Sequence, residues 1–250
     1  MIYSAELDFS WHQKDIYTFL PILLSIIFFV IYWFTSKSQN LKSLFFKHAH
    51  YDRATVNYVT FVRIIGFISL GILPAIFCLF FLPGYTLADY GLTFRTDTAL
   101  FTLGWTVGLS IFVIPMTYLS AQKTKNLINY PMIRAKIWTN KTIIINILGW
   151  ILYLFGYEFL FRGILLFPLA EHIGIWPAIA INTALYSATH IPKGLDETIG
   201  AMLIGLVLCL LTLTSGTIWI AFLVHVIIAL TNSFTAFKFH PEMKYIKSEK

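Results

Sequence analysis

About seven runs of roughly 20 mostly apolar residues recur along this chain, at roughly 16–35, 59–82, 99–120, 142–170, 175–191, 197–214 and 217–236. Wound as a helix at ~1.5 Å per residue, such a run spans the ~30 Å hydrocarbon core of a bilayer. Lipid offers no partner for a bare backbone N–H or C=O, so each run must satisfy its own hydrogen bonds as a helix. The fold class that follows is all-α, a polytopic transmembrane helix bundle of about seven spans. Composition agrees: 12% of residues are charged, against ~25% in a soluble domain. The 23 Phe, 13 Tyr and 7 Trp suit lipid-facing surfaces and interfacial belts.

The basic residues test this layout. The loop 36–58 holds Lys37, Lys42, Lys47 and Arg53, and the loop 121–141 holds Lys123, Lys125, Arg134, Lys136 and Lys141. Lys193 follows the fifth run, and the tail holds Lys238, Lys244, Lys247 and Lys250. The intervening connections have only Arg95, flanked by Asp89 and Asp97. A path with the N-terminus out and the C-terminus in puts every basic loop in the cytoplasm. The net charge of +6 then reflects topology and anionic lipid. No basic-aromatic module suggests a nucleic-acid partner. Cys78 and Cys209 fall inside apolar runs and read as buried hydrophobes rather than a disulfide framework. The N-terminus sets Glu6, Asp8 and Asp15 against Lys14, without the basic region that opens a cleavable signal peptide. Ala201 and Gly205 form a small-xxx-small pair that lets a neighbouring helix come close.

Four ionisable residues interrupt these runs: Glu158, Arg162, His190 and His225. Charged or titratable groups at bilayer depth usually face the bundle interior, pair with one another and mark a site. Glu158 and Arg162, four apart, share a helix face. They form either an ion pair that only neutralises itself or a base oriented by its arginine. His190 follows Tyr186 by four residues, and His225 shares a face with Ala229 and Asn232. Each histidine has a plain reading as a hydrogen-bonded packing residue, and Asn232 as an interhelical amide. Asp196 and Glu197 begin the sixth run, where the helix dipole favours acids; Glu197 is also a candidate second carboxylate. Tyr157 reads as a packing aromatic whose hydroxyl reaches the same cavity. The first three runs offer only Arg63, near a cytoplasmic end. Two His and one Glu would suffice for zinc, but no His-Glu-x-x-His run supports a metal. An ion-coupled carrier would use similar residues, but no internal repeat supports one. No cofactor is expected.

The C-terminal stretch resembles the CPBP family of intramembrane proteases, also called Abi or CAAX-protease-like. The matching residues are Tyr157-Glu-Phe-Leu-Phe-Arg-Gly163, Tyr186-Ser-Ala-Thr-His190, and Ser215-Gly-Thr-Ile-Trp219 leading to His225. The family pattern is Glu-Glu-x-x-x-Arg, an aromatic-x-x-x-His, and His-x-x-x-Asn. The resemblance implies metal-independent peptide hydrolysis in the membrane. A Glu and a His would activate water, and a second His and an Asn would hold the oxyanion. Glu158 falls at the second Glu position; Arg162, His190 and His225 match directly. Two positions depart: Tyr157 replaces the first Glu, and Ala229 replaces the Asn. A phenol with a pKa near ~10 is a poor base at neutral pH. Asn232 and Glu197 are the candidates to compensate: Glu158, or Glu197, would work with His190 as the base, and His225 with Asn232 would stabilise the oxyanion. The expected function is an endopeptidase acting on membrane-associated or lipidated peptides. The alternative is a catalytically silent relative serving bacteriocin-type immunity or membrane-protein scaffolding. The expected division is N-terminal helices over 1–140, catalytic helices over 141–238 and a basic cytoplasmic tail over 239–250, in a bacterial inner membrane.

Overall fold

The computed structural model describes residues 9–47 and 49–247; Glu6, Asp8 and Lys250 lie outside them. The chain is a multi-pass helix bundle. Helix α1 covers Ile16–Lys37 and α2 covers Gln39–Lys47. Helix α3 runs over Tyr51–Phe81, α4 over Ala99–Ala121 and α5 over Asn140–Ile173. Helices α6 (Ile175–Ala188), α7 (Leu195–Ser215) and α8 (Trp219–Phe239) complete the bundle. Two short strands, β1 (Ile137–Trp138) and β2 (Lys244–Tyr245), pair in parallel just before α5 and after α8.

Six of these helices are long and apolar enough to cross a membrane. The expected fifth span is the exception. At 14 residues, α6 is ~21 Å long, short of the ~30 Å core. Gly174 at φ +91° starts it, and Pro192 lies in the 3₁₀ turn that follows His190. The expected loop 36–58 is also largely helical. Leu41, Phe45 and Phe46 give α2 a half-buried face, with Phe45 5.3 Å from Phe61 and Phe46 5.8 Å from Tyr51 between ring centroids. Because α3 begins at Tyr51, Arg63 is not near a helix end. It is 2% exposed, and donates to the backbone oxygen and to Oδ1 of Asn146, each at 3.0 Å. Asn146 Nδ2 in turn donates to Ser233 Oγ at 3.0 Å. One buried polar chain therefore ties α3, α5 and α8.

Helix α5 is central, packed against α3 and α8, with its last turns against α1 and α6. Its crossing with α3 depends on glycine. A Cβ on Gly156 would lie 3.0 Å from Phe67 Cα, and one on Gly71 would lie 3.0 Å from Gly156 Cα. Each helix carries a π-helical turn near this crossing, Ile68–Ile72 in α3 and Phe159–Leu165 in α5. On the far side, α7 packs on α6, and a Cβ on Gly205 would stand 3.1 Å from the Tyr186 ring. That is the close approach the small-residue spacing predicts. Cys78 and Cys209 are buried free thiols, as expected.

Gly156→Ala should lower the unfolding free energy by ~1–3 kcal/mol, because the new methyl meets backbone that cannot yield. Gly104→Ala, with open space around its Cβ position, should cost nothing measurable. Chemical unfolding of both variants in detergent micelles checks this.

Candidate active site

The geometry starts at the π-helical turn of α5. Glu158 closes the regular part of the helix and Arg162 lies within the wide turn; both are completely buried. Arg162 Nε is 3.2 Å from Glu158 Oε2, an ion pair whose two atoms make no aligned hydrogen bond. The other side of the guanidinium is held from α6 and α7. Arg162 Nη1 donates to Asn182 Oδ1 and to Cys209 Sγ, the latter at 3.3 Å. The guanidinium carbon lies 4.3 Å above the Tyr186 ring. Asn182 Nδ2 donates to the carbonyl of Phe161, so one side chain serves both the arginine and the wide turn.

From α8, His225 Nδ1 meets Glu158 Oε1 at 2.6 Å. An arginine is permanently protonated, and the carboxylate opposite it acts as acceptor for His225. The Nδ1 therefore carries a proton and donates, and in the neutral imidazole it is Nε2 that holds the lone pair. The His225 side chain is 15% exposed. His190, just past the end of α6, places Nδ1 3.0 Å from the Tyr186 carbonyl. A carbonyl only accepts, so His190 also donates through Nδ1 and keeps Nε2 free. Thr189 donates to the same carbonyl at 2.7 Å, and its Oγ1 lies 2.7 Å from the Tyr157 hydroxyl.

Two phenol rings bring the histidines together. The Tyr157 centroid is 5.5 Å from His225 and 6.5 Å from His190. That of Tyr186 is 6.2 Å from His225 and 5.1 Å from His190. Glu158, Arg162, His190, His225 and Tyr157 thus gather in one buried cluster. The pairing within it differs from expectation: the carboxylate bonds His225, not His190. Glu158 leaves α5 toward α8, while α6 supplies Tyr186 and Asn182 to the opposite side.

Two predicted residues stay apart. Glu197 is 3.7 Å from Lys193 Nζ and 3.4 Å from the Tyr130 hydroxyl, because it opens α7 beyond the end of α6. Asn232 makes no hydrogen bond with the four ionisable residues, and lies ~10 Å along α8 from His225. Its neighbour Ser233 belongs to the Arg63–Asn146 chain. Ala229 packs among Tyr130, Trp150 and Leu154. Among the described residues, no three His, Cys, Asp or Glu side chains converge as a metal site. Sequence reasoning missed Asn182 and Thr189. Asn182 had a readable signal, since it precedes Tyr186 by four residues and His190 by eight, on one helical face.

Arg162→Met strands a buried carboxylate and should destabilise the protein by ~3–5 kcal/mol. Adding Glu158→Gln should recover much of that loss. Unfolding of the single and double variants in micelles gives the coupling directly.

The family model described as Type II CAAX prenyl endopeptidase Rce1-like matches residues 139–231. No curated protein and no solved structure matches the chain. The match runs from the residue that caps α5 into α8, and includes Glu158, Arg162, His190 and His225. It ends one residue short of Asn232. Over that segment the chain is similar to the Rce1-like, CAAX-protease-type family.

Proposed function

We propose that this protein is a metal-independent intramembrane endopeptidase that hydrolyses membrane-associated or lipidated peptides, with its catalytic helices within residues 141–238. The observation that carries the proposal is the 2.6 Å contact between Glu158 and His225, anchored by Arg162 and lying inside the family segment. Glu158 is fully engaged between a guanidinium and an imidazole, so it orients His225 instead of meeting water itself. His225 Nε2 is the general base. It takes one proton from a water molecule as the oxygen attacks the scissile carbonyl, and returns that proton to the leaving amine. His190 Nε2 accepts the water's second hydrogen and fixes its orientation. The Tyr157 phenol is committed to Thr189 and holds the two imidazoles at its edges. A bacterial inner membrane, with the basic helix ends in the cytoplasm, is the location proposed with this activity.

One observation favours a second reading. Where the family has its first glutamate, this chain has a buried phenol already bonded to Thr189. A silent relative, binding peptides in immunity or scaffolding, would carry such a replacement.

The two readings separate in a cleavage assay with a membrane-peptide library and the full chain in nanodiscs. Under the proposal the wild type cleaves in the presence of chelator. His225→Ala and His190→Ala should each lose at least ~100-fold in rate, within the ~10²–10⁴ that general-base catalysis contributes. Glu158→Gln should fall alongside His225→Ala, and Asn232→Ala should keep most of the rate. Retained cleavage in His225→Ala sinks the mechanism. Absence of cleavage by folded wild type across the library moves the assignment to the silent reading.

A further inference from the structure

Glu158, Arg162 and His190 are buried, and little of His225 is exposed. Hydrolysis needs water and a peptide backbone at both imidazoles, so a covering element has to move. Tyr130 covers the site from the end of the bundle where α5 begins and α8 ends. Its buried ring packs with Trp150 and Leu154 of α5 and with Ala229 of α8, which lies one turn beyond His225. Its hydroxyl reaches the other histidine's side, donating to Glu197 Oε2 at 3.4 Å and accepting from Lys193 Nζ at 3.3 Å. Lys193 belongs to the 3₁₀ turn that starts from His190, and its N–H donates to the His190 carbonyl at 2.9 Å. One phenol thus bridges α8 just past His225 and the turn just past His190, and closes the floor between them.

The connection from α4 to β1 carries this phenol, and it includes the short helix Thr124–Leu127. The Asn126 carbonyl accepts from the N–H groups of Asn129 and Tyr130, at 3.0 and 2.9 Å, so Lys125 and Tyr130 move as one piece. Beyond Tyr130 the chain is anchored. Ile133 and Ala135 are fully buried, and the Arg134 N–H donates to Thr55 Oγ1 at 3.1 Å. The Arg134 guanidinium reaches back to the carbonyls of Leu127 and Ile128, a tether on a long side chain. The hold on α7 is weaker. Lys125 pairs with Asp196 where both side chains are more than half exposed, and such pairs add little stability. The two Tyr130 hydroxyl contacts are long for hydrogen bonds. A braced piece with a firm anchor and a weak far edge has the build of a lid, since moving elements come from the low-stability end of a structure.

We propose that residues 123–130 form a gate over the candidate active site, with Tyr130 as the plug and Lys193, Asp196 and Glu197 as the latch, and that the gate swings clear to admit water and peptide. The inference rests on the peptidase reading of the site.

The test uses the full chain carrying Ala229→Cys in nanodiscs and a small water-soluble methanethiosulfonate, with modification of the new thiol followed by mass spectrometry of its peptide. That thiol lies beside the Tyr130 ring and reacts when the gate is open. Tyr130→Phe keeps the ring and removes the hydroxyl. It should speed modification about five-fold, the effect of losing a pair of weak hydrogen bonds. Carbodiimide joins the Lys125 amine to the Asp196 carboxylate as an amide and locks the latch. The crosslink should slow modification at least about ten-fold, because it removes the open state from the equilibrium, and peptide cleavage should fall with it. Lys125→Arg keeps the ion pair but forms no amide, so after the same treatment it should react and cleave as before. Modification rates indifferent to both Tyr130→Phe and the crosslink make Tyr130 a fixed packing residue and overturn the proposal. Full cleavage by the crosslinked protein overturns it too. A latch-dependent modification rate in a protein that cleaves nothing supports the gate and removes the peptidase reading instead.

Discussion

Glu158 and Arg162 hold opposite charges at zero exposure inside a largely apolar bundle, and the surrounding packing answers to that pair. Neither charge tolerates such a place alone, and their attraction offsets desolvation only when the remaining donors and acceptors also find partners. Four helices supply most of them, with Arg162 Nη2 left without a hydrogen bond: α5 contributes both charges, α6 brings Asn182 and the Tyr186 ring, α7 brings Cys209, and α8 brings His225. The imidazole is at once part of that compensation and the group with a free ring nitrogen. Charge balance and the proposed chemistry therefore draw on the same atoms.

The wide turn of α5 follows from the same demands. A π-helical turn shifts the facing of the residues that follow it and loosens the regular backbone ladder. Here the Asn182 amide bonds the Phe161 carbonyl within that turn. The corresponding turn in α3 contains Gly71, which lies against Gly156 of α5. Two irregular turns meet where two glycines let the helices nearly touch. The backbone of the first spans thus presses directly on the segment that holds Glu158, and the N-terminal helices are more than a lipid-facing surround.

Much of this was legible in the sequence, unevenly and for physical reasons. Apolar runs long enough for a bilayer are visible because every turn of such a helix must be apolar. Glu158 and Arg162 could be paired because four residues on one helix is a local distance. Which histidine would meet the carboxylate could not be read, since it depends on the placement of α8 against α5. Arg63 was misplaced because the first turns of α3, with Asp52, Arg53 and Asn57, look like loop. Helix α2 is nine residues long, too brief for its period to stand out. Asn232 was a fair candidate by spacing alone, yet its neighbour Ser233 faces the Arg63–Asn146 chain instead.

The two-residue strands have a reach out of proportion to their size. They join the residues just before α5 to those just after α8, and so close the whole family-matched segment into a ring. Closing a loop of that length costs conformational entropy that grows only slowly with the number of residues. Once closed, the antiparallel helices α5 and α8 are held at a shared end. Counted from that end, Glu158 lies ~27 Å along α5 and His225 ~21 Å along α8, depths close enough for the two side chains to meet. A slip that widened this offset by a single turn, ~5.4 Å, would part them. The clasp at the membrane edge thus acts as a ruler, fixing from a distance the register on which the 2.6 Å contact depends.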